Sequence, residues 1–184
     1  MAVVILLGAP HCGKTTQAGR LFASFGLQQI LFDDILREAK QGNLDSAKAE
    51  QNITDHLLID TLVAKVFGEV YRNGFTLEGY PWTYDQARQL DEVLAKKSLY
   101  PSLAIFIDTG DQKFAAESSD LLLYFTERGK LYRINGKQTE EEVESDIIKA
   151  INHSAQGLIK EPTLFGSAVP GDHDELAGKF IHRF

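Results

Sequence analysis

Short apolar runs alternate along the chain with longer segments in which apolar residues recur every three or four positions. The runs at residues 3–7, 75–77 and 103–107 are short and continuous, which is typical of strands buried on both faces. Weaker runs at residues 27–32 and 131–134 predict two further strands.

The periodic segments between these runs predict helices. Gly26 ends the first helix, and the spacing of Thr139 and Glu142 is a capping box that opens the last. A break of the helix at 111–128 near Ser118 and Ser119 is left open. Because strands and helices alternate, we expect a three-layer α/β/α fold with a five-stranded parallel sheet. The predicted helices span residues 14–25, 34–40, 54–70, 83–97, 111–128 and 139–152.

Composition adds limits to this picture. The 184 residues suit one domain, and the single cysteine excludes an internal disulfide and a multi-thiolate zinc site. Without a long apolar run or a secretory signal pattern, we expect a soluble, cytoplasmic monomer with no membrane partner. The net charge of -7 argues against a nucleic-acid partner, although a focused anion site stays compatible with it.

The segment from Gly8 to Thr15 fits the pattern G-x-x-x-x-G-K-S/T between a predicted strand and a predicted helix. Backbone N–H groups of such a loop cradle phosphates, and the following helix adds its positive end. Lys14 would reach the β- and γ-phosphates of ATP, and the Thr15 hydroxyl would ligate Mg²⁺. A chance match is the alternative, which the flanking elements disfavour. The predicted cofactor-binding residues are Gly8, Ala9, Pro10, His11, Cys12, Gly13, Lys14, Thr15 and Thr16.

Four blocks of sequence narrow the class of protein, since N-K-x-D and D-x-x-G motifs of GTPases are absent. They are residues 4–20, residues 32–37 (F-D-D-I-L-R), residues 73–83 (N-G-F-T-L-E-G-Y-P-W-T) with Gln86, and residues 124–143. In this order, from Ala2 to about Ile151, they resemble the adenylate kinase family of nucleoside monophosphate kinases. The fold that the resemblance implies is that of the phosphate-binding-loop (P-loop) NTPases.

The resemblance implies an ATP- and Mg²⁺-dependent phosphotransferase that acts on a small phosphorylated acceptor, a nucleotide in this family. On matching positions, the catalytic residues would be Lys14, Arg37 and Asp34, with Arg37 holding the acceptor phosphate. The metal would be held by Thr15 and, through water, by Glu78. Substrate-binding positions are Arg37, Gly79, Trp82 and Gln86.

The sequence departs from the family pattern on the acceptor side. Phe32 replaces a threonine, Trp82 replaces a phosphate-binding arginine, and residues 109–120 contain no arginine where the family has a lid. We therefore expect a kinase-like domain over residues 1–152, with a shortened insert at about 34–70 and no lid near 109–120, followed by a tail at 153–184. A catalytically weak nucleotide-binding or protein-interaction domain and a small-metabolite kinase remain alternatives. Arg88 and Arg128 are candidate substitutes for the missing arginines.

Several site residues allow two interpretations. His11 lies near the γ-phosphate or faces solvent, and Cys12 is a thiol of lowered pKa or a packed side chain. Asp33 and Asp34 form an acid/base pair, or one of them caps a helix. Trp82 stacks on a base or fills the space of the missing arginine's ligand.

Overall fold

The computed structural model describes residues 2–42, 55–96, 98–99 and 103–155. The polar stretch predicted at 42–52, the proposed cap Thr54 and the tail from residue 156 onwards lie outside the described residues, apart from Gly42 itself. Among the described helices, none is long and apolar enough to cross a membrane.

The described strands form one parallel sheet with β1 (Ala2–Leu7) at its centre. The strand order is β2-β3-β1-β4-β5, which confirms the predicted five-stranded α/β fold. The other strands are β2 (Gln28–Leu31), β3 (Gly74–Glu78), β4 (Leu103–Asp108) and β5 (Leu131–Asn135). The helices are α1 (Lys14–Phe25), α2 (Phe32–Gly42), α3 (Asp55–Val66), α4 (Tyr84–Lys96), α5 (Gln112–Glu117), α6 (Ser119–Glu127) and α7 (Glu140–Ala155).

Successive side chains of β1 point to opposite faces of the sheet and so contribute to two separate halves of the core. Val3 and Ile5 belong to a cluster with buried residues of α3, α4 and α6, whereas Val4 and Leu6 belong to a second cluster with α1 and α7. Because both faces of the central strand are covered, its apolar run is continuous, as the sequence predicts.

Several boundaries test the sequence predictions. Phe32 begins α2 instead of ending β2, and its side chain is buried in the core. The helix predicted at 54–70 ends at Val66, and Glu69–Tyr71 forms a single 3₁₀ turn. The break at Ser118 is confirmed, because this residue separates α5 from α6.

The capping box before α7 is confirmed by two reciprocal bonds. The Thr139 backbone N–H donates to Glu142 Oε2 at 3.0 Å, and the Glu142 N–H donates to Thr139 Oγ1 at 3.3 Å. Arg20 ties α1 to α7 through the carboxylates of Glu141 and Glu144, at 2.8 and 2.9 Å. The helix that follows the phosphate loop is thereby fixed to the rest of its layer.

Strand register brings the ends of three strands to one edge. Glu78 lies opposite Leu6 of β1 and Leu31 of β2. Since parallel strands end at the same edge, the loop after β1, the end of β3 and the start of α2 become neighbours.

Gly74 lets β3 begin beside β1, which yields a test of the fold. Its φ is +123°, and a Cβ there would lie 2.0 Å from the Ala2 carbonyl oxygen. We expect Gly74→Ala to lower the free energy of unfolding by about 2 kcal/mol or more, because backbone strain and the contact add. Urea denaturation measures this.

Gly19 of α1 is the matched control. A Cβ there would meet nothing within 4 Å, so Gly19→Ala should raise stability by about 0.5–1 kcal/mol through helix propensity. A Gly74→Ala protein as stable as the wild type would contradict the assignment of the β1–β3 contact.

Candidate functional site

The loop between β1 and α1 is compact because of its first glycine. Gly8 has a φ of +148°, and a Cβ there would lie 2.5 Å from Cys12 Sγ and 2.8 Å from the Ile107 carbonyl oxygen. The Cys12 N–H donates to the Ala9 carbonyl at 3.2 Å and closes a turn. A larger residue at Gly8 would therefore push the loop open.

The first turn of α1 keeps its positive end accessible to an anion. Gly13 is the N-cap in the left-handed conformation, and no side chain caps the helix. The first turn carries no acidic residue. Free amide donors at a helix start attract phosphate oxygens, so this end of the loop suits an anion.

The Lys14 side chain lies back across the loop. Its ammonium donates to the carbonyls of Gly8 and Ala9 at 2.9 and 2.8 Å, and lies 3.7 Å from Cys12 Sγ. Burial raises the pKa of the Cys12 thiol, although Lys14 partly offsets it. The interpretation of Cys12 as a low-pKa thiol is thus wrong. His11 is exposed with a φ of +61°.

Thr15 and Glu78 meet although they lie far apart in the sequence. The Thr15 hydroxyl donates to Glu78 Oε1 at 2.8 Å and lies 3.0 Å from Oε2. A hydroxyl and a carboxylate are hard oxygen ligands of the kind that Mg²⁺ binds. Within the described segments no group of three His, Cys, Asp or Glu side chains is gathered for a metal. An ion here would therefore take its other ligands from phosphate and water.

A cavity of about 350 Å³ opens beside the loop. On the loop side it is lined by Lys14, and on the far side by residues of the β3–α4 connection and of α5 and α6. Its charged lining residues in the described chain are Lys14 and Glu117. The lining consists of Leu6, Leu7, Gly8, Pro10, Lys14, Gly79, Tyr80, Pro81, Trp82, Phe114, Glu117, Ser118 and Leu121.

Three aromatic rings, Phe32, Tyr80 and Trp82, form a group that we call the aromatic cluster. Phe32 and Tyr80 stack at 4.9 Å between centroids, and Trp82 meets Phe32 at 4.9 Å with 72° between the rings. Gln86 links the backbone of Trp82 to α3. Its Oε1 accepts from the Trp82 backbone N–H at 2.9 Å, and its Nε2 donates to Asp55 at 3.2 Å.

Arg37 and Asp34 lie on α2, outside the lining of the cavity. They pair with each other at 2.5 Å, and the Arg37 side chain is 65% exposed. Asp33 and Asp34 stand in the first turn of α2, so neither is its N-cap. Of the predicted residues, the structure brings together Gly8, Pro10, Lys14, Gly79 and Trp82 around the cavity, and Thr15 with Glu78.

The candidate substitutes for the missing arginines already have partners: Arg88 within α4, and Arg128 at the end of α6, where it also lies 3.8 Å from Asp91 of α4. Arg88 binds Glu92 at 2.7 Å, and Arg128 lies over the Tyr124 ring at 3.5 Å. Sequence reasoning missed the α5–α6 wall with Phe114, Glu117 and Leu121. The sequence indicated only that the helix breaks near Ser118, and this break did not predict that α5 and α6 line a cavity.

Comparison with known proteins agrees with this arrangement. The sequence model of the family described as adenylate kinase matches residues 6–160. The chain is 32% identical over 123 residues to an adenylate kinase of Caldicellulosiruptor saccharolyticus, covering 63% of this chain and 57% of that protein. It is 38% identical over 99 residues to an adenylate kinase of Sorangium cellulosum, covering 50% and 46%. With these two relatives, the match spans about half of their length.

A further relative matches over nearly its whole length. The adenylate kinase of Methylobacterium radiotolerans is 25% identical over 189 aligned positions, which cover 80% of this chain and 94% of that protein. The family match includes the phosphate loop, both residues of the Thr15–Glu78 contact and the whole of β3, which carries Glu78. From this agreement of sequence, fold and site, we conclude that the chain belongs to the adenylate kinase family.

Proposed function

We propose that the protein transfers the γ-phosphoryl group of Mg²⁺–ATP to a phosphorylated nucleotide acceptor. Its family membership supports nucleoside monophosphate kinase chemistry. The observation that carries the proposal is the contact of Thr15 with Glu78 beside the Lys14 loop, because it assembles the donor site from two separate segments.

The loop residues Gly8 to Thr16 would hold the ATP phosphates. Backbone amides and the start of α1 supply partial positive charge, and Lys14 would exchange its carbonyl partners for β- and γ-phosphate oxygens. Thr15 and Glu78 would hold Mg²⁺, with Glu78 acting through water. When bound, the ion neutralises charge on the transferring phosphoryl group.

The acceptor would enter the cavity opposite the loop. Arg37 would contact its phosphate only after leaving Asp34, since it lies outside the cavity lining, and Gly79, Trp82 and Gln86 would contact the rest of the acceptor. Pro81, Phe114 and Leu121 provide an apolar wall that limits access of water. We assign this domain to residues 1–152, with a short connection at 109–120 in place of a lid.

A second candidate function has one observation in its favour. Lys14 is the one cation among the described residues that line the cavity, whereas a single arginine at a phosphoryl transition state contributes about 10³–10⁵ in rate. A nucleotide-binding domain with weak catalysis is therefore the competing proposal.

Measuring ADP release with a panel of nucleoside monophosphates distinguishes the kinase from the nucleotide-binding domain. If no nucleoside monophosphate is turned over, the kinase proposal is rejected.

Replacing Lys14 tests the donor site. Lys14→Ala should lower ATP-dependent phosphoryl transfer by about 10²-fold, because it removes a charge aimed at the transferring phosphate. Coupled ADP release measures the rate. Lys149→Ala is the matched control, since Lys149 pairs with Asp146 on the surface of α7. Equal rates of the two variants would contradict the role of Lys14.

Replacing the two oxygen ligands tests the proposed metal site. Thr15→Val and Glu78→Gln should each raise the Mg²⁺ concentration for half-maximal activity by about tenfold. The double variant should be less than additive, because the two side chains act at one site. The control is Glu127→Gln, an exposed carboxylate at the end of α6. An unchanged Mg²⁺ dependence in both single variants would overturn the assignment.

A further inference from the structure

We infer that the acceptor is bound through an aromatic ring stacked on Trp82, and that its phosphate adds little to the affinity. The inference rests on the proposed function in one respect, namely that the cavity beside the phosphate loop is the acceptor site. It gives Trp82 the role of selecting the acceptor. At this position the motif of the adenylate kinase family has an arginine.

The aromatic cluster offers one ring surface to a ligand. Phe32 and Tyr80 are 6% and 2% exposed and stack on each other within 6° of parallel, whereas Trp82 is 57% exposed. Two rings thus form a buried support, and the third, which belongs to the cavity lining, remains largely accessible. A large exposed indole on a rigid support is suited to stacking on a flat ring.

The backbone that carries the indole is fixed, and the ring itself meets Phe32 edge-on. The Trp82 backbone N–H donates to Gln86 Oε1 at 2.9 Å, and Gln86 is itself anchored to Asp55. Pro81, which precedes Trp82, is buried. Because the backbone at Trp82 is already ordered, a ligand that stacks on the ring pays no cost for ordering the backbone there.

The charges around this side of the cavity disfavour a second phosphate. Arg37 is already paired with Asp34 and lies outside the lining. In the described part of the lining, Glu117 carries a charge opposite to that of Lys14, and Lys14 faces the donor loop. A phosphate placed opposite ATP without free cations would be desolvated and repelled. Stacking on an aromatic ring works with any base and needs no cation, so it is the interaction left to bind the acceptor.

The sole tryptophan of the chain provides a direct probe of this site. We would titrate the intrinsic fluorescence with four pairs of nucleoside and nucleoside 5′-monophosphate and with ribose 5-phosphate, in the presence of Mg²⁺ and a non-hydrolysable ATP analogue. We expect nucleosides and their monophosphates to quench the fluorescence. In the pair that binds most tightly, the Kd of the nucleoside and the Kd of its monophosphate should differ by less than tenfold. Ribose 5-phosphate should not compete with either of them. A monophosphate preference of tenfold or more, competition by ribose 5-phosphate, or no quenching by any pair would overturn the inference.

Variants of Trp82 separate stacking from a structural role, with calorimetry in place of fluorescence. Trp82→Phe should leave the ratio of the nucleoside Kd to the monophosphate Kd small. Trp82→Ala should weaken the binding of both ligands by about tenfold, because it removes the ring. Trp82→Arg should raise the preference for the monophosphate at least tenfold, because it adds a phosphate-binding cation. Phe22→Ala, which removes an exposed aromatic ring from α1, should change none of these values. A Trp82→Arg protein that binds nucleoside and monophosphate as the wild type does would overturn the inference.

These measurements do not require turnover. A protein that fails to transfer phosphate yet binds nucleosides through Trp82 would contradict the proposed function, and the ring stacked on Trp82 would then belong to a bound nucleoside that is not an acceptor. A protein that transfers phosphate but shows a strong monophosphate preference would contradict the inference alone.

Discussion

The pairing of β1 with β3 is the constraint on which the site depends. Register places Glu78 opposite Leu6, one residue before the end of β1, so the carboxylate stands beside the loop that β1 feeds. From there it meets the Thr15 hydroxyl at 2.8 Å. A shift of this register by one residue would move Glu78 to the other face of the sheet and separate it from Thr15. The Thr15–Glu78 contact proposed to hold a metal, the loop and the cavity wall at Gly79 therefore share one geometric origin.

The phosphate loop, which is one part of the proposed donor site, was predictable from sequence because its motif is local. Gly8, Gly13 and Lys14 define a loop whose backbone conformation needs glycine, and the observed α1 has the same bounds as the periodic segment that predicted it. Gly26 ends α1 in the left-handed conformation, as a terminal glycine should. These features can be recognised from neighbouring residues, although Gly8 is also confined by the Ile107 carbonyl of β4, a contact that the local sequence does not reveal.

The acceptor half depends on contacts that no local pattern contains. Phe32 continues an apolar run, yet its burial against Tyr80 makes it the first residue of α2. Arg37 occupies a matching position of a motif, but its side chain pairs with Asp34 outside the cavity lining. Trp82 was open to two interpretations from sequence, because its exposure is set by the packing of Phe32 and by the bond to Gln86. Tertiary packing, in short, decided what local propensity left open.

The two halves of the site also differ in where their positive charge comes from. The loop offers backbone dipoles, the start of α1 and one lysine, which are focused sources of positive charge in a chain of net charge -7. A second phosphate requires side-chain cations, and the described lining holds none beyond Lys14. Under the proposed function, binding of Mg²⁺–ATP would therefore not depend on the side-chain cations that a second phosphate requires. Aromatic residues on the acceptor side would then change the acceptor, or weaken transfer, without removing the groups proposed to hold Mg²⁺–ATP.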